Sequence, residues 1–134
     1  MTNRKILTRR KLLMLVLSSM GASAVPAFSK DSLIDIYVVK NAQCGCCDSW
    51  IEILTAKGFN VVAENHSRDY LAQLKIESGI PKNMISCHTA KIGRYFIEGH
   101  VPAEDIKRLI FERPDALGLA VPGMPYGSPG MGIE

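Results

Sequence analysis

Three cysteines occupy four consecutive positions, Cys44-Gly45-Cys46-Cys47, and a fourth, Cys87, stands alone downstream. This spacing constrains the chain more than any other feature. Cys44 and Cys47 form a Cys-X-X-Cys pair with a third thiol inside it. A disulfide between the adjacent Cys46 and Cys47 would be strained, because a normal bridge needs well-separated Cα atoms and converging Cβ atoms. In an ordinary dithiol enzyme a thiol at Cys46 would compete for the mixed disulfide. Three thiolates in four residues therefore suit shared coordination of a soft metal better than disulfide cycling.

The elements around the motif can be read from periodicity. Ile34 to Val39 is apolar except for Asp35, as in a largely buried strand. From Cys47 to Lys57, Cys47, Trp50, Ile51 and Leu54 share one helical face, Asp48, Glu52 and Thr55 the other, and Gly58 is placed to end the helix. Phe59, Val61 and Ala63 alternate as in a strand. Ser67 or Asp69 caps a second predicted helix that turns Tyr70, Leu71 and Leu74 to the core and ends near Gly79. Thr89 to Ile92 and Tyr95 to Glu98 read as strands around a turn at Gly93. Pro102 opens a third helix with Ile106, Leu109 and Ile110 on its apolar side, and Pro114 stops it. Residues 115–134 are rich in Gly and Pro and are expected to be an irregular tail. The order β-α-β-α-β-β-α predicts a thioredoxin-like α/β fold: a small mixed sheet with flanking helices. The cysteine motif sits between the first strand and the first helix, as in thioredoxins. A helix N-terminus there favours thiolate.

That topology places Cys87. With the third strand antiparallel beside the first, the start of one meets the end of the other. Cys87 and His88 directly precede the third strand, so Cys87 is expected to face the Cys44–Cys47 turn.

The termini speak to location. Five of the 16 basic residues lie before Leu12, and no acidic residue precedes Asp31. The remaining 11 basic against 13 acidic residues give a formal charge of about −2, which offers no argument for nucleic-acid binding. The cationic stretch, the apolar run from Leu12 and the small residues near Ala24 and Ser29 have the order of a secretory signal. Thr8-Arg9-Arg10-Lys11-Leu12-Leu13 resembles the twin-arginine export motif, with Leu12 where that motif prefers Phe. Residues 1–29 are thus expected to be an export signal and residues 30–134 a periplasmic domain with no membrane span after cleavage. An uncleaved anchor is the rival, although Gly21 and Pro26 interrupt the uncharged run.

Four thiolates alone admit Zn²⁺, an iron–sulfur cluster or Cu(I). Zinc sites usually use separated pairs, whereas multinuclear Cu(I) with bridging thiolates tolerates crowding. Met124 and Met131 add thioethers, a Cu(I)-selective donor, in the tail. Each also has a bland reading as an apolar tail anchor. For His88 ligation and loop packing are both open, as are ligation and backbone hydrogen bonding for His100. His66 reads as a solvated surface residue, and Trp50 as core.

Several blocks resemble one family in order: Cys44-Gly45-Cys46-Cys47, Ser86-Cys87-His88-Thr89-Ala90, Glu98-Gly99-His100-Val101-Pro102, Gly118-Leu119-Ala120-Val121-Pro122-Gly123-Met124-Pro125 and Gly127-Ser128-Pro129-Gly130-Met131. They are similar to the CopG-type periplasmic copper-resistance proteins, over about Ile34 to Met131. The resemblance implies a thioredoxin-like fold, copper bound by Cys44, Cys46, Cys47 and Cys87, and a role in copper tolerance with redox change open. It favours His88, His100, Met124 and Met131 as further site residues, and other periplasmic copper-resistance proteins as partners. Members often continue past the last block with another strand; here only Gly132-Ile133-Glu134 follow. The enzyme alternative is a thiol–disulfide oxidoreductase, with Cys44 as nucleophile and Cys47 as resolving thiol. The structural alternative is a disulfide-stapled binding module.

Overall fold

The computed structural model describes residues 33–132; the expected export segment, residues 1–29, lies outside them. Strand β1 (Ile34–Lys40) leads through the cysteine turn into helix α1 (Gly45–Ala56). Strand β2 (Phe59–Asn65), helix α2 (Arg68–Glu77), a 3-10 turn (Lys82–Met84), β3 (Thr89–Ile92) and β4 (Tyr95–Glu98) follow. Helix α3 (Ala103–Glu112) and a short β5 (Gly118–Ala120) complete the order. The sheet is mixed, with strand order β2-β1-β3-β4-β5. β1 pairs parallel with β2 and antiparallel with β3, as the thioredoxin-like arrangement requires. None of the described helices is long and apolar enough to cross a membrane.

The core follows the periodicities. Ile36 and Val38 of β1, Ala90 and Ile92 of β3, and Tyr95 and Ile97 of β4 line one sheet face. Trp50 and Leu54 from α1 and Ile106 and Leu109 from α3 close over them. The buried indole N–H of Trp50 donates to Val101 O at 2.9 Å, so its one polar atom is satisfied. Gly58 adopts φ +90° at the end of α1, the left-handed region that lets a chain leave a helix. Ser67 caps α2 by accepting from the Tyr70 amide at 3.2 Å.

Two expectations are corrected. The tail is not wholly irregular, because Gly118–Ala120 pairs parallel with Phe96–Glu98. Three residues are too few to display alternation, so the strand leaves no periodic signal. Gly118 permits it: a Cβ there would lie 2.7 Å from the Phe96 carbonyl carbon. Tyr70 does not face the core. It is exposed and stacks on His66, with ring centroids 4.0 Å apart. The buried positions of α2 are Leu71 and, four residues on, Lys75. Burial of a lysine there has a cause in the site below.

Candidate metal centre

The sheet brings the end of β1 and the start of β3 together, and with them the two cysteine-bearing segments. Asn41 shapes the approach to the turn. Its carbonyl accepts from the Cys44 amide at 3.0 Å, and its side-chain oxygen accepts from the Gln43 amide at 3.0 Å. Helix α1 begins at Gly45, earlier than periodicity suggested, so Cys44 is its N-cap and Cys46 and Cys47 lie in its first turn. Buried Lys40 at the end of β1 pairs with Asp48 of that same turn at 2.8 Å. The pair fixes the helix start against the strand, and Asp48 is favourably placed for the helix dipole.

Cys44, Cys46, Cys47 and Cys87 gather at one point, with all four sulfurs within 4.8 Å of one another. Cys44 and Cys47 are joined as a disulfide, while Cys46 and Cys87 are free. Cys46 Sγ lies 3.6 Å from Cys44 Sγ, and Cys87 Sγ lies 3.6 Å from Cys47 Sγ. A metal–sulfur bond of about 2.3 Å puts two sulfurs on one tetrahedral ion roughly 3.8 Å apart, so this spacing fits shared ligation. Burial pushes the Cys87 thiol up to about 11, with Cys46 adding to the rise. Cys87 therefore carries a proton at neutral pH, which a bound metal has to displace.

Two histidines stand behind Cys87, and Cys87, His88 and His100 form a second candidate ligand group. Both rings are fully buried. His100 Nδ1 is 2.7 Å from Pro129 O, and Nε2 is 3.1 Å from Cys87 Sγ. The carbonyl can only accept, so it sets the tautomer: Nδ1 carries the proton and Nε2 turns its lone pair to the sulfur. His88 Nδ1 is 3.3 Å from Cys87 Sγ, and the ring packs on Trp50 at 4.3 Å between centroids. Its Nε2 is buried and has no hydrogen-bond partner among the described residues. Burial first, then the neighbouring His100, Lys75 and Lys40, hold the His88 pKa down to about 3. His88 is thus a neutral imidazole, the form that can ligate.

The tail closes one side of the site. Gly130 packs on the first turn of α1, where a Cβ would sit 2.8 Å from the Trp50 amide nitrogen. This close approach delivers Pro129 O to His100. On the open side a cavity of about 720 Å³ is lined by Cys44, Cys46 and Cys87, and Met124 forms part of its wall. Met131 is half-buried and does not line that cavity. His66 is in neither candidate ligand group, and its ring Nε2 is 3.1 Å from Glu64 Oε2.

Residue patterns missed the charged floor of the site. Glu98 and Lys75 are both buried and pair at 2.5 Å. Charged side chains are seldom buried, so sequence alone singles out neither residue. The available signal was Lys75 standing four residues after Leu71, on the same helical face.

The donor set, soft sulfurs beside imidazoles, is matched by kinship. Residues 84–131 match a family model described as a protein of unknown function, DUF411. Comparison with curated proteins finds no match. A solved structure titled copper resistance protein CopG, form 2, is 48% identical, with a TM-score of 0.70, and the alignment covers 76% of this chain and 80% of that one. Form 1 of the same title is 47% identical, also with a TM-score of 0.70, covering 76% and 79%. At this identity and coverage, the chain belongs to the family of the copper resistance protein CopG.

Proposed function

We propose that this chain is a periplasmic copper-tolerance protein that sequesters Cu(I) in a multinuclear cluster held by Cys44, Cys46, Cys47 and Cys87. The observation that carries the reading is the convergence of four sulfurs within 4.8 Å from segments about forty residues apart in sequence. Thiolates favour Cu(I), and bridging thiolates let several ions share few ligands. Cys87 belongs to both candidate ligand groups, so it can join a sulfur-rich ion to one that also takes nitrogen from His88 or His100. Met124 offers a thioether at the mouth, and Met131 follows on the same tail. The twin-arginine-like segment 1–29 would deliver residues 30–134 to the periplasm, where other copper-resistance proteins are candidate partners.

Loading the full set requires an external dithiol to reduce the Cys44–Cys47 disulfide by exchange, giving two thiols here and a disulfide in the reductant. Copper binding then releases the thiol protons. That same bridge favours one other reading, a thiol–disulfide oxidoreductase in which Cys44 attacks a substrate disulfide and Cys47 resolves the mixed disulfide. Copper content of protein purified from the periplasm, measured beside insulin-disulfide reduction, separates the two. The copper reading expects stoichiometric copper and poor reduction by the loaded protein, because Cys44 is occupied. Efficient reduction by loaded protein, abolished by Cys44→Ser, would establish the oxidoreductase instead.

A further inference from the structure

The two cysteine segments are held by different means. The Cys44–Cys47 turn is built into a helix start, so backbone hydrogen bonding fixes it. Cys87 sits in a loop after the 3-10 turn and before β3, with no helix to place it. What holds that loop is a carboxylate.

Glu98 ends β4 and is 2% exposed. Its Oε1 accepts from the Ser86 amide at 2.7 Å and from Lys75 Nζ at 2.5 Å, and its Oε2 accepts from Thr89 Oγ1 at 2.7 Å. Lys75 Nζ also donates to Thr89 Oγ1, at 2.8 Å. The Ser86 amide immediately precedes Cys87. The Ser86 hydroxyl donates to Gly123 O, and Glu98 O accepts from the Val121 amide at 2.9 Å. One residue thus ties together helix α2, the Cys87 loop and the tail segment that leads to Met124.

An ion pair this deep is a poor device for stability. Apolar residues of similar volume at such positions usually hold a fold at least as well, because desolvating two charges offsets their attraction. A buried carboxylate does provide direction: it accepts from several donors at fixed angles and holds them together. We propose that Glu98 is a positioning residue for Cys87, setting the Ser86–Cys87 backbone so that the thiol meets both the Cys44–Cys47 turn and the two histidines. Lys75 pairs with the carboxylate at 2.5 Å and orients it. This rests on the reading of Cys87 as a copper ligand.

The test compares wild type, Cys87→Ser, Glu98→Gln and Leu54→Ala, each reduced and loaded with Cu(I) under anaerobic conditions. Copper per protein and the sulfur–copper shell by X-ray absorption are measured on folded material. Leu54 lies in the apolar core on the opposite sheet face and controls for general destabilisation. Glu98→Gln is expected to lose as much copper as Cys87→Ser and show the same altered sulfur shell, while Leu54→Ala keeps the wild-type values. If Glu98→Gln does not fold, Lys75→Met/Glu98→Leu, which removes both charges together, is measured in its place with the same expectation. Wild-type copper and sulfur shell in the Glu98 variant, with losses in Cys87→Ser, would leave Glu98 a merely structural residue. Wild-type values in Cys87→Ser would instead remove the ligand reading and with it anything for Glu98 to position.

Discussion

Two cross-strand rows run side by side through the centre of the sheet, displaced by one residue along each strand. Val38, Ala90 and Ile97 pair across β1, β3 and β4, all are buried, and all face α1 and α3. Val39, Thr89 and Glu98 pair across the same strands and are also buried, and Thr89 and Glu98 bond to Lys75 of α2. Successive residues of a strand point to opposite faces, so one step along the chain separates a dry core from a charged one. The first row lies in the apolar core. The second carries a hydrogen-bonded carboxylate below the cysteine loop. The difference teaches that this small domain divides its labour by sheet face, with fold stability on one side and placement of Cys87 on the other.

That division can be broken most severely at Trp50. Trp50→Ala removes a fully buried ring and leaves Val101 O without its donor. Thermal or denaturant unfolding should show a loss of about 3–5 kcal/mol. A loss confined to a few tenths would mean that the first row is not the source of stability. On the other face, Lys75→Met alone strands a buried carboxylate and should cost about 3 kcal/mol in the same assay. The double change Lys75→Met/Glu98→Leu should recover that loss and match or exceed wild-type stability, since no charge is left buried and unpaired. A double variant as unstable as the single would assign the ion pair to stability and erase the contrast. The smallest effect is expected at Ser67→Ala, which removes the cap of α2. Its cost should be about 1 kcal/mol. Amide hydrogen exchange should locate faster opening in α2 and leave β1 protected.

Legibility in the sequence follows the same line. The apolar row was readable because the short runs Thr89–Ile92 and Tyr95–Glu98 flank a turn at Gly93 and because Trp50 and Leu54 stand at helical spacing. The approach of Cys87 to the Cys44–Cys47 turn was readable through topology alone, since antiparallel pairing of β1 and β3 brings their opposite ends together. The polar row was not. Glu98 and Lys75 carry charges that usually face water, and nothing in their spacing reveals that each is the other's partner. β5 escaped because three residues between glycines and prolines carry no period, and its pairing depends on what Gly118 lacks rather than on what it has. Tyr70 was misplaced because a large amphipathic ring on a helix suits the core or a surface stack equally well, and His66 supplied the stack.

The central claim is that Cys87 completes a copper-binding cluster with the Cys44–Cys47 turn. Copper per protein and the sulfur–copper X-ray absorption of wild type and Cys87→Ser, prepared side by side, test it most directly. A hydroxyl occupies nearly the same space as the thiol but is a hard, poorly ionised donor for a soft ion. Cys87→Ser is expected to fold and to bind less copper, with fewer sulfur neighbours per copper and a changed cluster size. Unchanged copper content with an unchanged sulfur shell would remove Cys87 from the site, leaving it a small half-buried residue beside a site made by the Cys44–Cys47 turn alone.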